Sequence, residues 1–211
     1  SAIKEGRVKY DISCHSEYLT SEKFATAMAE ASKKYGLQVQ VHMSETKKEV
    51  EECKERHNGL TPTAYFEKCG LLNNCYAAHC VHVTPEDIEV LKRTNTTIVH
   101  NPSSNMKLGS GFAPIVEAIN AGVNVALGTD GCASNNNLDM FEEMHLAAML
   151  QAGLHMDSAI IKAETILDMA TINGAKATGR PDTGILNVGY KADIIAIDMD
   201  KPHLYPCLDV P

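Results

Sequence analysis

The chain has 211 residues, 44% of them hydrophobic, with a formal net charge of -8, a balance that fits a globular protein and excludes a disordered one. The charge also counts against nucleic-acid binding, which needs clustered Lys and Arg to neutralise phosphates, and no such cluster occurs. Membrane insertion is equally unexpected, because no apolar run approaches the roughly 20 residues that cross a bilayer and the start SAIKEGRVKYD lacks the order of a signal peptide.

Period and punctuation give short β-rich runs alternating with helices. The first strand is expected over Val8 to Cys14, and a helix follows over Ser21 to Tyr35, where Phe24, Ala27, Met28 and Ala31 share a face and Gly36 is the stop. Gln38 to Met43 alternates apolar and polar residues as a half-buried strand does. Thr61-Pro62 and Thr84-Pro85 each pair a capping Thr with Pro at the first helical position. Strands are expected at Cys75 to Cys80, Thr96 to His100 and Val123 to Leu127, and helices at Phe112 to Asn120, Leu138 to Gln151 and Ser158 to Ala170. Five strand-then-helix units imply a parallel sheet, because parallel strands need crossover connections. Either an open doubly wound sheet or part of a (β/α)8 barrel satisfies that pattern, since a closed barrel takes about 250 residues. After Arg180, DTGILNVGYKADIIAIDMD holds two short β-like runs with no helix between them. The expected organisation is therefore a unit over 1–180 and the start of a small β unit over 181–211.

Ligand-type residues recur where strands end. His15 follows VKYDISC, His42 ends LQVQV, His79 ends CYAA, His100 ends TTIV, and Asp130 follows VNVALGT. One such histidine alone is ordinarily a hydrogen-bonded structural residue, but on a parallel sheet all five positions converge on one rim. A neutral imidazole is the commonest protein ligand for zinc-like ions, which makes His42 a candidate ligand. Glu45, three residues beyond, is placed to carry protons to a substrate, the alternative being a carboxylate at a helix entry. In HCVH, His79 and His82 should point to different faces of a strand end, which favours His79 and leaves His82 structural. His100 opens HNPSSNMKLGSG, expected as a polar loop long enough to cover a site. Asp130 lies in ALGTDGCASNNN, where Gly128 and Gly131 allow close backbone approach to a ligand. A carboxylate there either binds a metal and takes a proton from activated water, or caps the next helix. Cys14, Cys53, Cys69, Cys75, Cys80, Cys132 and Cys207 are an odd set without a C-x-x-C pair, the pattern of free thiols in a reducing cytoplasm.

These segments, CHSEYL, VHMSET, AAHCVH, VHNPSSNMKLGSG, ALGTDGCASNN and GILNVGYKADIIAID, resemble the metal-dependent amidohydrolase superfamily. Within it they resemble the 5-methylthioadenosine/S-adenosylhomocysteine deaminases and their chlorohydrolase-like relatives. The resemblance implies an α/β fold, a partial (β/α)8 TIM-type barrel of about strands 4 to 8, followed by the start of a small β-sandwich. It implies one divalent ion, zinc or sometimes iron, on His42 and Asp130. By the same matching, Asp130 handles the water proton, Glu45 protonates the purine at N1, His79 orients or polarises the attack on C6, and His15 contacts the ribose or the sulfur-bearing tail. Guanine deamination, triazine dechlorination and a non-catalytic binding or assembly module are the alternatives. The family's H-x-H metal ligands are absent from this sequence. The chain is accordingly expected to be the C-terminal part of a longer enzyme, inactive or nearly so alone, and to self-associate through an open barrel edge.

Overall fold

The computed structural model describes residues 8–206, so Cys207 and the SAIKEGR start lie outside it. Five strands, β1 (Ile12–Ser13), β2 (Val39–Met43), β3 (Cys75–His79), β4 (Thr97–His100) and β5 (Val125–Leu127), form one parallel sheet in chain order. That unreversed order belongs to a barrel wall, because a doubly wound sheet reverses its strand order at a switch point. The fold is a partial barrel.

Between the strands run α1 (Glu22–Tyr35), α2 (Lys47–Arg56), α3 (Pro62–Lys68), α4 (Pro85–Arg93), α5 (Pro102–Lys107) and α6 (Ile115–Ala121). After β5 come α7 (Cys132–Asn135), α8 (Met140–His155), α9 (Ala163–Ala170) and α10 (Ile172–Ala177). Local chemistry sets most starts. The Ser21, Thr61 and Thr84 side chains each accept a backbone N–H from the first turn they open. Thr46 and Glu49 close a reciprocal capping box at α2, and Thr84 and Asp87 do the same at α4. Gly36 ends α1 in the left-handed region at φ 64°, a conformation that glycine adopts without a side-chain penalty.

The sheet's two faces follow from the period of two. In β2, Val39, Val41 and Met43 are fully buried while Gln40 and His42 are partly open. Met43 Sδ accepts the Thr63 hydroxyl of α3 at 3.2 Å, which identifies its face as the one under the helices. Burying each such side chain stabilises the fold by about 1.5–3 kcal/mol. The opposite face, carrying His42, is the barrel interior.

Two expectations change here. The runs around Ile185 and Ile194 to Ile197 form no strand, and Ile194, Ile195 and Ile197 are exposed. A β-run satisfies its backbone groups only against a partner strand, and none pairs with them among the described residues. The HNPSSNMKLGSG segment is not all loop, since Pro102 opens α5 inside it. Among the described residues, no helix is long and apolar enough to cross a membrane.

Candidate metal centre

Across the sheet, His42 of β2 stands in register with Ala78 of β3, Val99 of β4 and Ala126 of β5. That row faces the barrel interior. His79 and His100 come one residue after Ala78 and Val99, so alternation alone turns both toward the helices. His79 escapes because its φ is 72°, a left-handed value that costs a non-glycine residue about 1–3 kcal/mol and clusters at functional sites. Asp130, three residues past the end of β5, also has a left-handed backbone, with φ 60°. His100 keeps the regular strand geometry and stays 2% exposed, with neither ring nitrogen hydrogen-bonded among the described residues. Burial, reinforced by the nearby His79, pushes its pKa down to about 4. The expected convergence of five strand-end residues therefore fails at His100.

His42, His79 and Asp130 come together, with one ligand-type atom from each lying within 4.8 Å of the others. His42 Nδ1 lies 2.8 Å from the His15 carbonyl oxygen, an acceptor only, so this nitrogen carries the proton and Nε2 is left as donor to an ion. The His15 ring is 4.6 Å from that of His42 and hydrogen-bonds Tyr18 at the exposed rim. His79 Nδ1 is 2.9 Å from Asn105 Oδ1, and His79 is 1% exposed. Asp130 Oδ2 accepts the Ser104 hydroxyl at 2.6 Å and Oδ1 accepts the Gly131 N–H at 2.7 Å. Burial alone raises the Asp130 pKa, but these two hydrogen bonds and the neighbouring His79 and His42 outweigh it and hold the carboxyl below its usual range.

Glu45 is not the helix-entry carboxylate of α2. Thr46 is the cap and Glu49 takes the N–H groups of Ser44 and Glu45 at 3.0 and 2.7 Å. The Glu45 side chain is left to the site, 3.9 Å from His79 Nε2 and 3.3 Å from the Ser110 hydroxyl. Asp130 likewise does not cap α7, whose N-cap is Gly131, with no side-chain cap. His82 turns away and bonds the Ser110 carbonyl at 2.8 Å. Gly128 answers a different need from the expected ligand contact: a Cβ there would lie 2.7 Å from Val99 Cγ1.

Two imidazoles and a carboxylate are the donor set of catalytic zinc and non-haem iron sites. Nδ1 is engaged in both histidines, by the His15 carbonyl at His42 and by Asn105 at His79, so each presents Nε2 to the shared space. A second cluster, Glu17, Cys53 and His57, also gathers ligand-type atoms within 4.8 Å. There Arg56 bonds both Glu17 oxygens, at 3.1 and 2.8 Å, and His57 bonds Oε1 at 2.8 Å. Its charge is already compensated, and burial pushes the Cys53 thiol up to about 12. The cluster is a structural ion pair.

Sequence reading missed Ser104 and Asn105. Asn101-Pro102 carries the same signal as Thr61-Pro62, a capping-type residue followed by Pro. That signal marks a helix where a loop was expected.

Comparison with known proteins gives a consistent set of likenesses. The sequence profile described as "Amidohydrolase family" matches residues 1–209. The chain is 47% identical over 204 residues to the 5-methylthioadenosine/S-adenosylhomocysteine deaminase of Thermoanaerobacter pseudethanolicus, covering 96% of this chain and 47% of that protein. It is 46% identical to the 5'-deoxyadenosine deaminase of Methanosarcina acetivorans, covering 98% and 48%. In structure it resembles the adenosine deaminase from Xanthomonas campestris with bound zinc, at a TM-score of 0.91 and 34% identity over 95% of this chain and 46% of that one. The chain spans about half the length of the curated relatives it matches.

Proposed function

The chain belongs to the amidohydrolase family, and from that premise we propose that it carries the C6 chemistry of a metal-dependent deaminase. The substrate class is an adenine nucleoside with a modified 5' end, such as 5-methylthioadenosine or S-adenosylhomocysteine, and the products are the inosyl analogue and ammonia. The observation that carries the reading is the convergence of His42, His79 and Asp130 within 4.8 Å beside Glu45. Sequence likeness to deaminases of this substrate class supports it.

His42 and Asp130 are the residues that would hold one divalent ion, zinc in the first instance and iron in the second. When bound, that ion supplies the Lewis acidity that brings the pKa of water down toward about 7. Asp130, kept ionised by Ser104 and Gly131, accepts the proton of the water that attacks C6. His79 accepts a hydrogen bond at Nε2 and orients that attack. Glu45 donates a proton to N1 of the purine, which makes C6 more electrophilic, and the Ser110 hydroxyl steadies its carboxyl. His15, exposed on the rim beside Tyr18, contacts the ribose or the 5' tail. The six cysteines among the described residues are all free, which supports a cytoplasmic setting.

The test follows the ultraviolet change from adenine to hypoxanthine, with S-adenosylhomocysteine, 5-methylthioadenosine and 5'-deoxyadenosine as substrates and guanine and a chlorotriazine as competitors. It is run with zinc on this chain and on a longer polypeptide that also carries an H-x-H pair. The chain has no such pair, so the longer polypeptide is expected to turn over faster. Preference for guanine or the triazine would overturn the substrate assignment.

A further inference from the structure

We infer that Asn105 is a positioning residue for the centre: its side-chain oxygen fixes His79 in the Nδ1–H form, which keeps the Nε2 lone pair directed at the space shared with His42 and Asp130. The inference rests on the proposed centre for its consequence, but not for its test.

A neutral imidazole distributes its proton between two nitrogens according to the hydrogen bond that one of them makes. For His42 the partner is a backbone carbonyl. For His79 it is Asn105 Oδ1, at 2.9 Å. Both residues are 1% exposed, so bulk water is not available to substitute for the amide. Asn105 is itself held rigidly: its N–H donates to the Asn101 carbonyl at 3.0 Å and its carbonyl accepts the Ser110 N–H at 2.8 Å.

The cost of this arrangement is visible. Asn105 Nδ2 is buried without a hydrogen-bond partner among the described residues. A buried donor left unpaired destabilises a fold, so packing alone gives no reason for an amide at this position. The adjacent residue, Ser104, bonds Asp130 Oδ2. One short helix, α5, therefore grips two of the three converging groups through neighbouring side chains.

The experiment is long-range ¹H–¹⁵N spectroscopy of the imidazole rings in the metal-free, ¹⁵N-labelled chain, at a pH well above the histidine range. The His79 pattern is assigned by its loss in His79→Gln. In the unsubstituted chain His79 is expected as the Nδ1–H form. Asn105→Leu, which keeps the volume and removes the acceptor, is expected to move it toward the Nε2–H form, and Asn105→Asp, which retains an oxygen, to restore it. A proton on Nε2 in the unsubstituted chain, or an unchanged pattern in Asn105→Leu, would overturn the inference. If Asn105→Leu does not fold, the unsubstituted chain and Asn105→Asp decide the question. Because no turnover is read, Nδ1–H at His79 with no deamination would sink the functional proposal and leave this inference standing.

Discussion

The Ser104 hydroxyl donates to Asp130 Oδ2 at 2.6 Å across 26 residues of sequence, joining the helix after β4 to the turn after β5. With the Gly131 N–H on Oδ1, it fixes the carboxylate plane before any ligand arrives. Fixing a ligand in advance leaves less ordering to be done on binding.

Removing the carboxylate and removing its anchor should therefore differ in degree. Ser104→Ala is expected to weaken zinc binding by roughly 10- to 100-fold, the usual effect of losing a supporting partner. Asp130→Asn should lose more than that. Isothermal titration with zinc measures both, and equal affinities for Ser104→Ala and the unsubstituted chain would remove the anchoring role.

Glu45→Gln should leave zinc binding within error of the unsubstituted chain, because the side chain faces His79 Nε2 at 3.9 Å and is not one of the three converging groups. Turnover should fall by about 10²–10⁴-fold, the range for a lost general acid or base. Steady-state kinetics on the active form, compared with zinc titration, separates the two effects.

Gly128→Ala puts a Cβ 2.7 Å from Val99 Cγ1 and 3.1 Å from Asn101 Oδ1. Both neighbours belong to packed strand-end structure, so the strain should cost about 1–3 kcal/mol. For a chain of this length each kcal/mol lowers Tm by roughly 2–4 °C. An unchanged melting curve would show that β4 yields more easily than its packing implies.

His100 gives a pH dependence whose sign is fixed by burial. Its folded pKa of about 4 lies below the ordinary 6.5, so as pH falls through 6.5 the unfolded chain takes up a proton that the folded chain refuses. Its contribution to stability is complete above about 6.5 and is lost progressively down to about 4, at about 1.4 kcal/mol per pH unit at most. Denaturant unfolding of His100→Leu over this window should show a shallower loss by up to that slope. Parallel curves would mean that burial does not depress proton uptake at His100 in the fold.

Arg56→Met leaves the fully buried Glu17 side chain without its bidentate partner. A broken buried pair costs about 3–5 kcal/mol. The value here should fall below that range, because Arg56 is 38% exposed and His57 remains on Oε1. Chemical denaturation measures it, and a change under roughly 0.5 kcal/mol, within the range of ordinary surface substitutions, would mean that the Arg56 contact adds nothing to what His57 already supplies at Glu17.

The sequence by itself determined those elements that rest on local causes. The alternation in LQVQV, the Thr-Pro pairs and the capping residues act within a few positions of one another, and β2, α3 and α4 stand where that chemistry predicts. It also determined the chemistry of the strand ends, since His42, His79 and Asp130 are ligand-type residues whatever the fold. Only the tertiary structure decided which of them meet. Register places Ala78 and Val99 level with His42, so His79 reaches the interior only through a left-handed backbone, while His100, with the same sequence signature, is buried and does not join the cluster. The late β-like runs failed for a related reason. Strand propensity is a half-specification, because the backbone hydrogen bonds that complete a strand belong to another segment, and among the described residues none offers them.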